Sequence, residues 1–346
     1  MSHEKRLKIG VLTGGGDCPG LNAVIRAVVR RAVHSYGFEV FGFRDGWKGL
    51  IEGRIEPLSS ISVTGILRRG GTILGTSRTN PRKKQDHLDA IVHHMKKYEI
   101  DALIPIGGDD TLGVALWMHG LGFQVVGVPK TIDNDIKGTD YTFGFNTAVE
   151  TVTEALDKLQ TTAESHHRIM VVEVMGRHAG WIATMAGIAG GADEILIPEM
   201  PFDIEDVVAR LMERHKRRSF SIVVVAEGAV PKDGGMTTIS DKKDAFGHVM
   251  LGGIGQWVSD EIEKRTGCET RYTNLGHIQR GGIPTAYDRI LSTRFGVAAV
   301  DAVANGERGK MVALRSEDII LIPLEDAVLQ NKVVNPEFYE IASLFF

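Results

Sequence analysis

Asp101-Ala-Leu-Ile-Pro-Ile-Gly107-Gly108-Asp109-Asp110-Thr111, followed by Leu112-Gly-Val-Ala-Leu-Trp117, decides the fold. The apolar run before the glycines reads as a buried strand of a parallel sheet, and the run after the acids reads as a helix. Between them lie a Gly-Gly turn and two carboxylates, at the carboxyl end of a strand and the start of a helix. In open α/β sheets ligands bind there. Glycines let a ligand approach the backbone, and the N–H groups that open a helix attract phosphate. Two adjacent acids in a phosphate site make chemical sense with Mg²⁺, a hard cation that takes carboxylate and phosphate oxygens together. The alternative reading of the same residues is a solvated Asp-Asp helix cap.

Outward from this unit, apolar strand runs alternate with amphipathic helical stretches. Strands are expected at Leu7–Leu12, Glu39–Phe43, Ala102–Ile106, Val125–Val128, Ile169–Val174, Glu194–Ile197 and Ser221–Ala226. Helices are expected at Leu21–His34, His87–Tyr98, Thr147–Thr162, Trp181–Ala189 and Ile204–Arg218. This order predicts an α/β protein with mostly parallel sheets. No low-complexity linker separates the halves, so two domains that exchange chain segments, with the site in the cleft between them, are expected. The polar segment Pro231–Gly247 reads as an excursion loop. The apolar tail Asn335–Phe346 is expected to dock on a core or a subunit interface.

The chain has 346 residues with a formal net charge of −4, which argues against a general nucleic-acid or membrane binder. Its 2 cysteines, Cys18 and Cys268, lack metal-ligand spacing, and a reducing, cytoplasmic setting fits. No apolar run is long enough to span a bilayer. His93-His94 and His166-His167 lack the i, i+4 arrangement of zinc enzymes.

Three further segments carry chemistry. Thr13-Gly14-Gly15-Gly16-Asp-Cys-Pro-Gly20-Leu-Asn22 resembles a phosphate cradle, a strand running through glycines into a helix. It is neither a P-loop nor the dinucleotide fingerprint, because its glycine spacing and the missing Gly-Lys-Ser/Thr exclude both. Gly70-Gly-Thr-Ile-Leu-Gly-Thr-Ser-Arg78 offers a guanidinium suited to a phosphoryl group in transfer. Pro129-Lys130-Thr131-Ile-Asp133-Asn-Asp135 follows another strand, with Thr131, Asp133 and Asp135 at spacing two. In an extended segment these point to one face, giving one carboxylate to take a proton from a hydroxyl and another to orient it or hold a metal. Lys130 beside them can offset phosphate charge. Arg168, Met175-Gly176-Arg177, Arg271 and Leu275-Gly-His277-Ile-Gln-Arg280 gather basic groups at strand ends and glycine turns, as a phosphorylated anion requires. Glu227, after the last strand named above, can accept hydrogen bonds from sugar hydroxyls. Arg26, Arg30, Arg217 and Arg218 suit either an effector site or ordinary helix faces.

Together these stretches resemble the phosphofructokinase family: GVLTGGGDCPGLNAVIRAVV, GGTILGTSR, IGGDDT, PKTIDND with IKGTDYTFGFNTA, HHRIMVVEVMGRHAG and LGHIQRGGIPTAYDR occur in order over nearly the whole chain. The resemblance implies phosphoryl transfer to the 1-hydroxyl of fructose 6-phosphate, with Asp133 as base and Asp109 as the Mg²⁺ partner. It implies that Thr131, Met175, Gly176, Arg177, Glu227, His277 and Arg280 hold the sugar phosphate, with Asp135 beside them. Arg168 and Arg271 would reach in from a neighbouring subunit of a homo-oligomer, a tetramer or else a dimer. Two Rossmann-like, three-layer domains are implied. A larger donor domain would take residues 1–144 plus about 257–306, and a smaller sugar-phosphate domain 145–256 plus about 307–346.

The donor turns on small departures from the family pattern. ATP-using members commonly read Gly-Gly-Asp-Gly and Gly-Thr-Ile-Asp where this chain reads Gly-Gly-Asp-Asp110 and Lys130-Thr-Ile-Asp. That pair resembles the pyrophosphate-using branch. Asp110 would fill and repel the space of an α-phosphate, and Lys130 would compensate the concentrated charge of pyrophosphate. Mg-pyrophosphate is therefore expected along Gly14, Gly15, Gly16, Gly108, Asp110, Thr111 and Lys130, with Arg78, Arg177 and Mg²⁺ stabilising the transferring group. An ATP-dependent kinase, a catalytically silent sugar-phosphate sensor and a dinucleotide-dependent oxidoreductase are the rival readings.

Overall fold

The computed structural model describes residues 6–234, 238–243, 247 and 249–344. The described residues divide into two compact units, one within Met1–Thr131, Ile136–Asn146 and Arg280–Asn331, the other within Ile132–Asp135, Thr147–Gln279 and Lys332–Phe346.

In the first unit the strands are β1 (Lys8–Thr13), β2 (Glu39–Phe43), β3 (Ile55–Leu58), β4 (Ala102–Gly107), β5 (Gln124–Thr131), β6 (Phe143–Gly144), β13 (Lys310–Arg315) and β14 (Asp318–Pro323). They form one sheet in the order β14-β13-β5-β4-β1-β2-β3, with β6 beside β5. The interior from β13 to β2 is parallel, and the edge pairs β13–β14 and β2–β3 are antiparallel. β4 is buried along its length and β1 from Ile9 onward, as parallel strands covered on both faces must be. The chain leaves β1 for β2 on one side and returns to β4 on the other. Right-handed crossovers then put the connecting helices on opposite faces, and the order reverses between β1 and β4. Helix Leu21–Arg31 packs closely on helix Ala286–Ala304: a Cβ at Gly296 would stand 2.7 Å from the Ala27 Cβ.

The second unit holds a parallel sheet in the order β12-β7-β9-β8, from β7 (Ile169–Val174), β8 (Glu194–Leu196), β9 (Ser221–Ala226) and β12 (Thr270–Asn274). Here β7 is the pivot, since β9 and β8 build on one side of it and β12 on the other. Ile169, Val171, Val223 and Val225 face Val207 and Leu211 of helix Ile204–His215 and Val258 and Ile262 of helix Ile254–Thr266.

The seven strands expected from apolar runs are all present, three of them with the expected bounds and the other four with an end shifted by at most three positions. β12 carries no apolar run; it is an edge strand of sequence Thr-Arg-Tyr-Thr-Asn, paired only with β7. Pro231–Gly247 is not a simple loop. Residues 238–243 (β10) and 249–251 (β11) form an antiparallel hairpin, while 235–237, 244–246 and 248 lie outside the described residues. The expected exchange points near 257 and 306 are also displaced, to 279/280 and 331/332. β12 completes the sheet of the second unit beside β7, and β13 pairs with β5 in the first. The tail forms helix Pro336–Ser343 and docks on the second unit, where the Tyr339 hydroxyl donates to the Ile195 carbonyl (2.5 Å). Phe345 and Phe346 lie outside the described residues. Among the described residues no helix is long and apolar enough to cross a membrane.

Leu211 is 2% exposed within the core of the second unit, so Leu211→Ala leaves a cavity there. We expect a loss of about 2–5 kcal/mol of stability, read from denaturant unfolding followed by the fluorescence of Trp257, which packs against the same cluster. A midpoint unchanged from wild type would mean that this cluster does not govern the unit's unfolding.

Candidate active site

The reversal between β1 and β4 brings the two glycine turns of the first unit together. The Gly14 N–H donates to the Ile106 carbonyl at the end of β4 (2.9 Å). Thr111, in the first turn of helix Asp109–Gly120, fills the space beneath both turns. A Cβ at Gly14 would meet its Oγ1 at 2.5 Å, and one at Gly107 would run into its Cβ. Glycine is therefore required at both positions by this threonine. Gly108 precedes the helix, and Asp109 and Asp110 stand in its first turn, where acids are favoured by the N-terminal N–H groups.

The turn Gly14–Gly16 is clasped by the loop that ends in Arg78. Gly15 N–H donates to the Ser77 carbonyl (3.3 Å), and the Thr76 hydroxyl donates to the Gly15 carbonyl (2.6 Å). From β1, the Thr13 hydroxyl donates to the Gly75 carbonyl (2.7 Å). Asn22 anchors the same loop through three bonds: its amide nitrogen donates to the Arg69 and Gly70 carbonyls, and its oxygen accepts from the Ile73 N–H (2.8 Å). Arg78 stands exposed at the end of this loop. Asn22 is a site residue that sequence reasoning passed over, although it closes the quoted glycine stretch.

Lys130, near the end of β5, is 3% exposed, and its ammonium donates to the Gly16 carbonyl. A Cβ on Gly15 would lie 3.7 Å from the Lys130 Nζ, and one on Gly16 would run into the Arg280 guanidinium. Lys130 and Arg280 thus both border the glycine turn. Arg280, which the family resemblance groups with the sugar phosphate, lies in the first unit beside Gly16.

β5 runs through Thr131, but the expected one-face alternation of Thr131, Asp133 and Asp135 does not hold. Asn134 adopts φ +54°, so the backbone is not extended through it. Asp133 and Asp135 are nonetheless both buried, at 8% and 5% exposure.

In the second unit the carboxyl ends of β7, β9 and β12 carry Met175-Gly176-Arg177, Glu227 and the turn from Leu275. Gly176 (φ +146°) and Arg177 (φ +56°) are both left-handed, and the turn closes through the Ala179 N–H to the Gly176 carbonyl (2.9 Å). Glu227 accepts the Arg177 N–H (3.1 Å), and buried Gln279 accepts the Met175 N–H (3.2 Å) while donating to the Gly276 carbonyl (3.0 Å). His277 is exposed on that turn. Glu173 sits behind it, accepting from the Gly255 N–H (2.8 Å), the Tyr272 hydroxyl (3.0 Å) and the Asn274 amide (2.8 Å). Burial and the Glu173 charge push the Tyr272 phenol up to about 12. Gln279 and Glu173 carried no sequence signal, because their partners are backbone groups and neighbours brought in by the fold.

Arg168 and Arg271 lie at the opposite end of this sheet. They share Glu269, with Arg168 2.7 Å from its carboxylate, at the amino ends of β7 and β12. The 6 residues of β7 separate them from Arg177 by roughly 20 Å.

Residues 8–303 match the phosphofructokinase family. The chain belongs to that family. It is a phosphotransferase. It is 59% identical over 340 residues to a pyrophosphate–fructose 6-phosphate 1-phosphotransferase from Amycolatopsis methanolica, covering 98% of this chain and 100% of that one. It is also 56% identical over 329 residues to ATP-dependent 6-phosphofructokinase 3 from Streptomyces coelicolor, covering 95% and 96%. A solved phosphofructokinase from Saccharomyces cerevisiae superposes with a TM-score of 0.82 at 33% identity, over 98% of this chain and 47% of that longer one.

Among the described residues no group of three or more His, Cys, Asp or Glu gathers into a metal cage. Asp109, a carboxylate at the start of a helix beside the glycine turns, is the residue that would hold Mg²⁺ were the ion to arrive with phosphate, since that ion takes one or two carboxylates together with phosphate oxygens and water.

Asn22→Ala removes the partners of one N–H and two carbonyls in the 69–73 segment, groups worth about 1–3 kcal/mol each when left unmade. We expect amide exchange across residues 69–78 to accelerate by about tenfold or more in hydrogen-exchange mass spectrometry, with the rest of the first unit unchanged. Wild-type exchange rates there would show that Thr13 and Thr76 hold the loop without Asn22.

Proposed function

We propose that this protein transfers a phosphoryl group from pyrophosphate to the 1-hydroxyl of fructose 6-phosphate, giving fructose 1,6-bisphosphate and phosphate. One observation carries the choice of donor: a buried lysine ammonium, Lys130, borders the glycine turn Gly14–Gly16. A buried cation beside glycine backbone that a ligand can approach closely suits the concentrated charge of pyrophosphate. Asp110, in the first turn of the adjacent helix, adds bulk and like charge where a third phosphate and a nucleoside would extend. The relatives carry both donor names at similar identity, so overall similarity does not decide between donors. The ATP-dependent reading rests on that second name.

In this reading Asp133 accepts the proton of the attacking 1-hydroxyl, and Thr131 and Asp135 orient it. Asp133 stands three residues after Lys130, so the chain itself keeps their α-carbons within about 11 Å of each other. Gly176 and Arg177 turn their backbone and guanidinium toward the sugar phosphate, with Glu227 fixing the turn through the Arg177 N–H. Arg78 and Arg177 stabilise charge on the group in transfer. Asp109 would hold Mg²⁺, which when bound neutralises phosphate charge. Arg168 and Arg271 lie too far along their own sheet to serve Arg177's ligand, which supports a homo-oligomer, a tetramer in our reading, in which they complete a neighbour's site. Pyrophosphate is energetically close to a sugar phosphoester, so the reaction should run in both directions, and a cytoplasmic role in glycolysis fits.

Asp133→Asn should lower turnover by about 10²–10⁴-fold while fructose 6-phosphate still binds, measured by steady-state kinetics and calorimetry. Near-wild-type turnover would remove Asp133 from the base role. Asp110→Gly should improve the ratio of ATP to pyrophosphate kcat/KM by about tenfold or more, chiefly through ATP KM, since an acid against a phosphate oxygen costs more than about 1 kcal/mol even partly screened. An unchanged ratio would mean that Asp110 does not select the donor.

A further inference from the structure

The last described segment of the chain returns to the loop that holds Asp133. The Lys332 N–H donates to the Asp135 carbonyl (2.8 Å), and the Lys332 carbonyl accepts from the Trp181 indole N–H (3.1 Å). One residue's main chain thus bridges the base loop to Trp181. Trp181 opens helix Trp181–Ala189, four residues after Arg177. Its ring is held from two sides, with the Lys332 ammonium 4.9 Å from the ring centroid and the Phe338 ring at 6.2 Å. Two residues on, the Val334 N–H donates to Glu199 (2.9 Å), which also accepts the Gly180 N–H (2.9 and 3.0 Å) at the same helix start. The segment 332–334 is therefore pinned at both ends to the turn that follows Arg177, and it holds a carbonyl two residues from Asp133.

We propose that Trp181 is a positioning residue for the proton-accepting carboxylate: through the Lys332 main chain it fixes the Asp133–Asp135 loop relative to the Arg177 turn. The inference rests on Asp133 being the base. An N–H-to-carbonyl bond restrains the Asp135 peptide in direction as well as distance. Asn134 is already in the left-handed region, so a loop released at Asp135 has nearby extended conformations to relax into. A carboxylate displaced by a fraction of an ångström loses proton-transfer alignment without losing the sugar phosphate, which other residues hold.

The test is a double-mutant cycle. Trp181→Phe keeps one aromatic ring beside Lys332 and Phe338 and deletes the indole N–H together with the rest of the bicycle. In the otherwise wild-type protein we expect kcat to fall on the order of tenfold, with the KM for fructose 6-phosphate within about twofold. In the Asp133→Asn background the same change should cost nothing further, because the group it positions is already gone. Glu199→Gln, which loosens Val334 and Gly180, provides the same cycle if Trp181→Phe does not fold. No loss of kcat in the wild-type background, or an equal loss in both backgrounds, overturns the positioning role while leaving Asp133 as base. An Asp133→Asn protein with near-wild-type turnover overturns the base reading, and the inference with it.

Discussion

The bond from the Gly14 N–H to the Ile106 carbonyl (2.9 Å) joins the ends of β1 and β4, where the strand order of the first sheet reverses. Everything on the donor side follows from that join. The two strands are buried, so their carboxyl ends are the places where backbone N–H groups can meet a ligand. Thr111 is wedged under both glycine turns and leaves no room for a side chain at Gly14 or Gly107. What remains is side-chain-free glycine backbone bordered by Lys130 and Arg280, with Asp109 and Asp110 at the adjacent helix start.

The second unit repeats the arrangement with different chemistry. β7 is its pivot, and the ends of β7, β9 and β12 present a left-handed Gly176-Arg177 turn held by Glu227 and Gln279. The same logic keeps Arg168 and Arg271 away from that turn. Arg168 and Arg271 lie at the amino ends of their strands, paired through Glu269, and a parallel sheet gives them no route to its other end.

The sequence made the buried parallel strands and the glycine turns legible, because continuous apolar runs broken by Gly-Gly allow few other structures. Asp109, Lys130 and Arg177 were legible as members of strand-end turns. The edge strand β12 was not, since an edge strand of Thr, Arg and Tyr needs no apolar run, and the displacement of the exchange point near 257 followed from that gap. Asn22, Gln279 and Glu173 were not legible either: each works by accepting from or donating to groups that only the folded chain brings near. The period-two reading of Thr131, Asp133 and Asp135 failed at one dihedral, φ +54° at Asn134, which spacing alone does not reveal.

The central claim is that Lys130 and the glycine turns are built for pyrophosphate. Phosphorus NMR of the wild-type protein with fructose 6-phosphate and Mg²⁺, supplied in parallel with pyrophosphate or ATP, tests it directly. The account predicts that the pyrophosphate resonance gives way to inorganic phosphate and a new sugar-phosphate signal, that adding fructose 1,6-bisphosphate and phosphate regenerates pyrophosphate, and that ATP is consumed far more slowly. Rapid conversion of ATP to ADP with pyrophosphate left intact would contradict it.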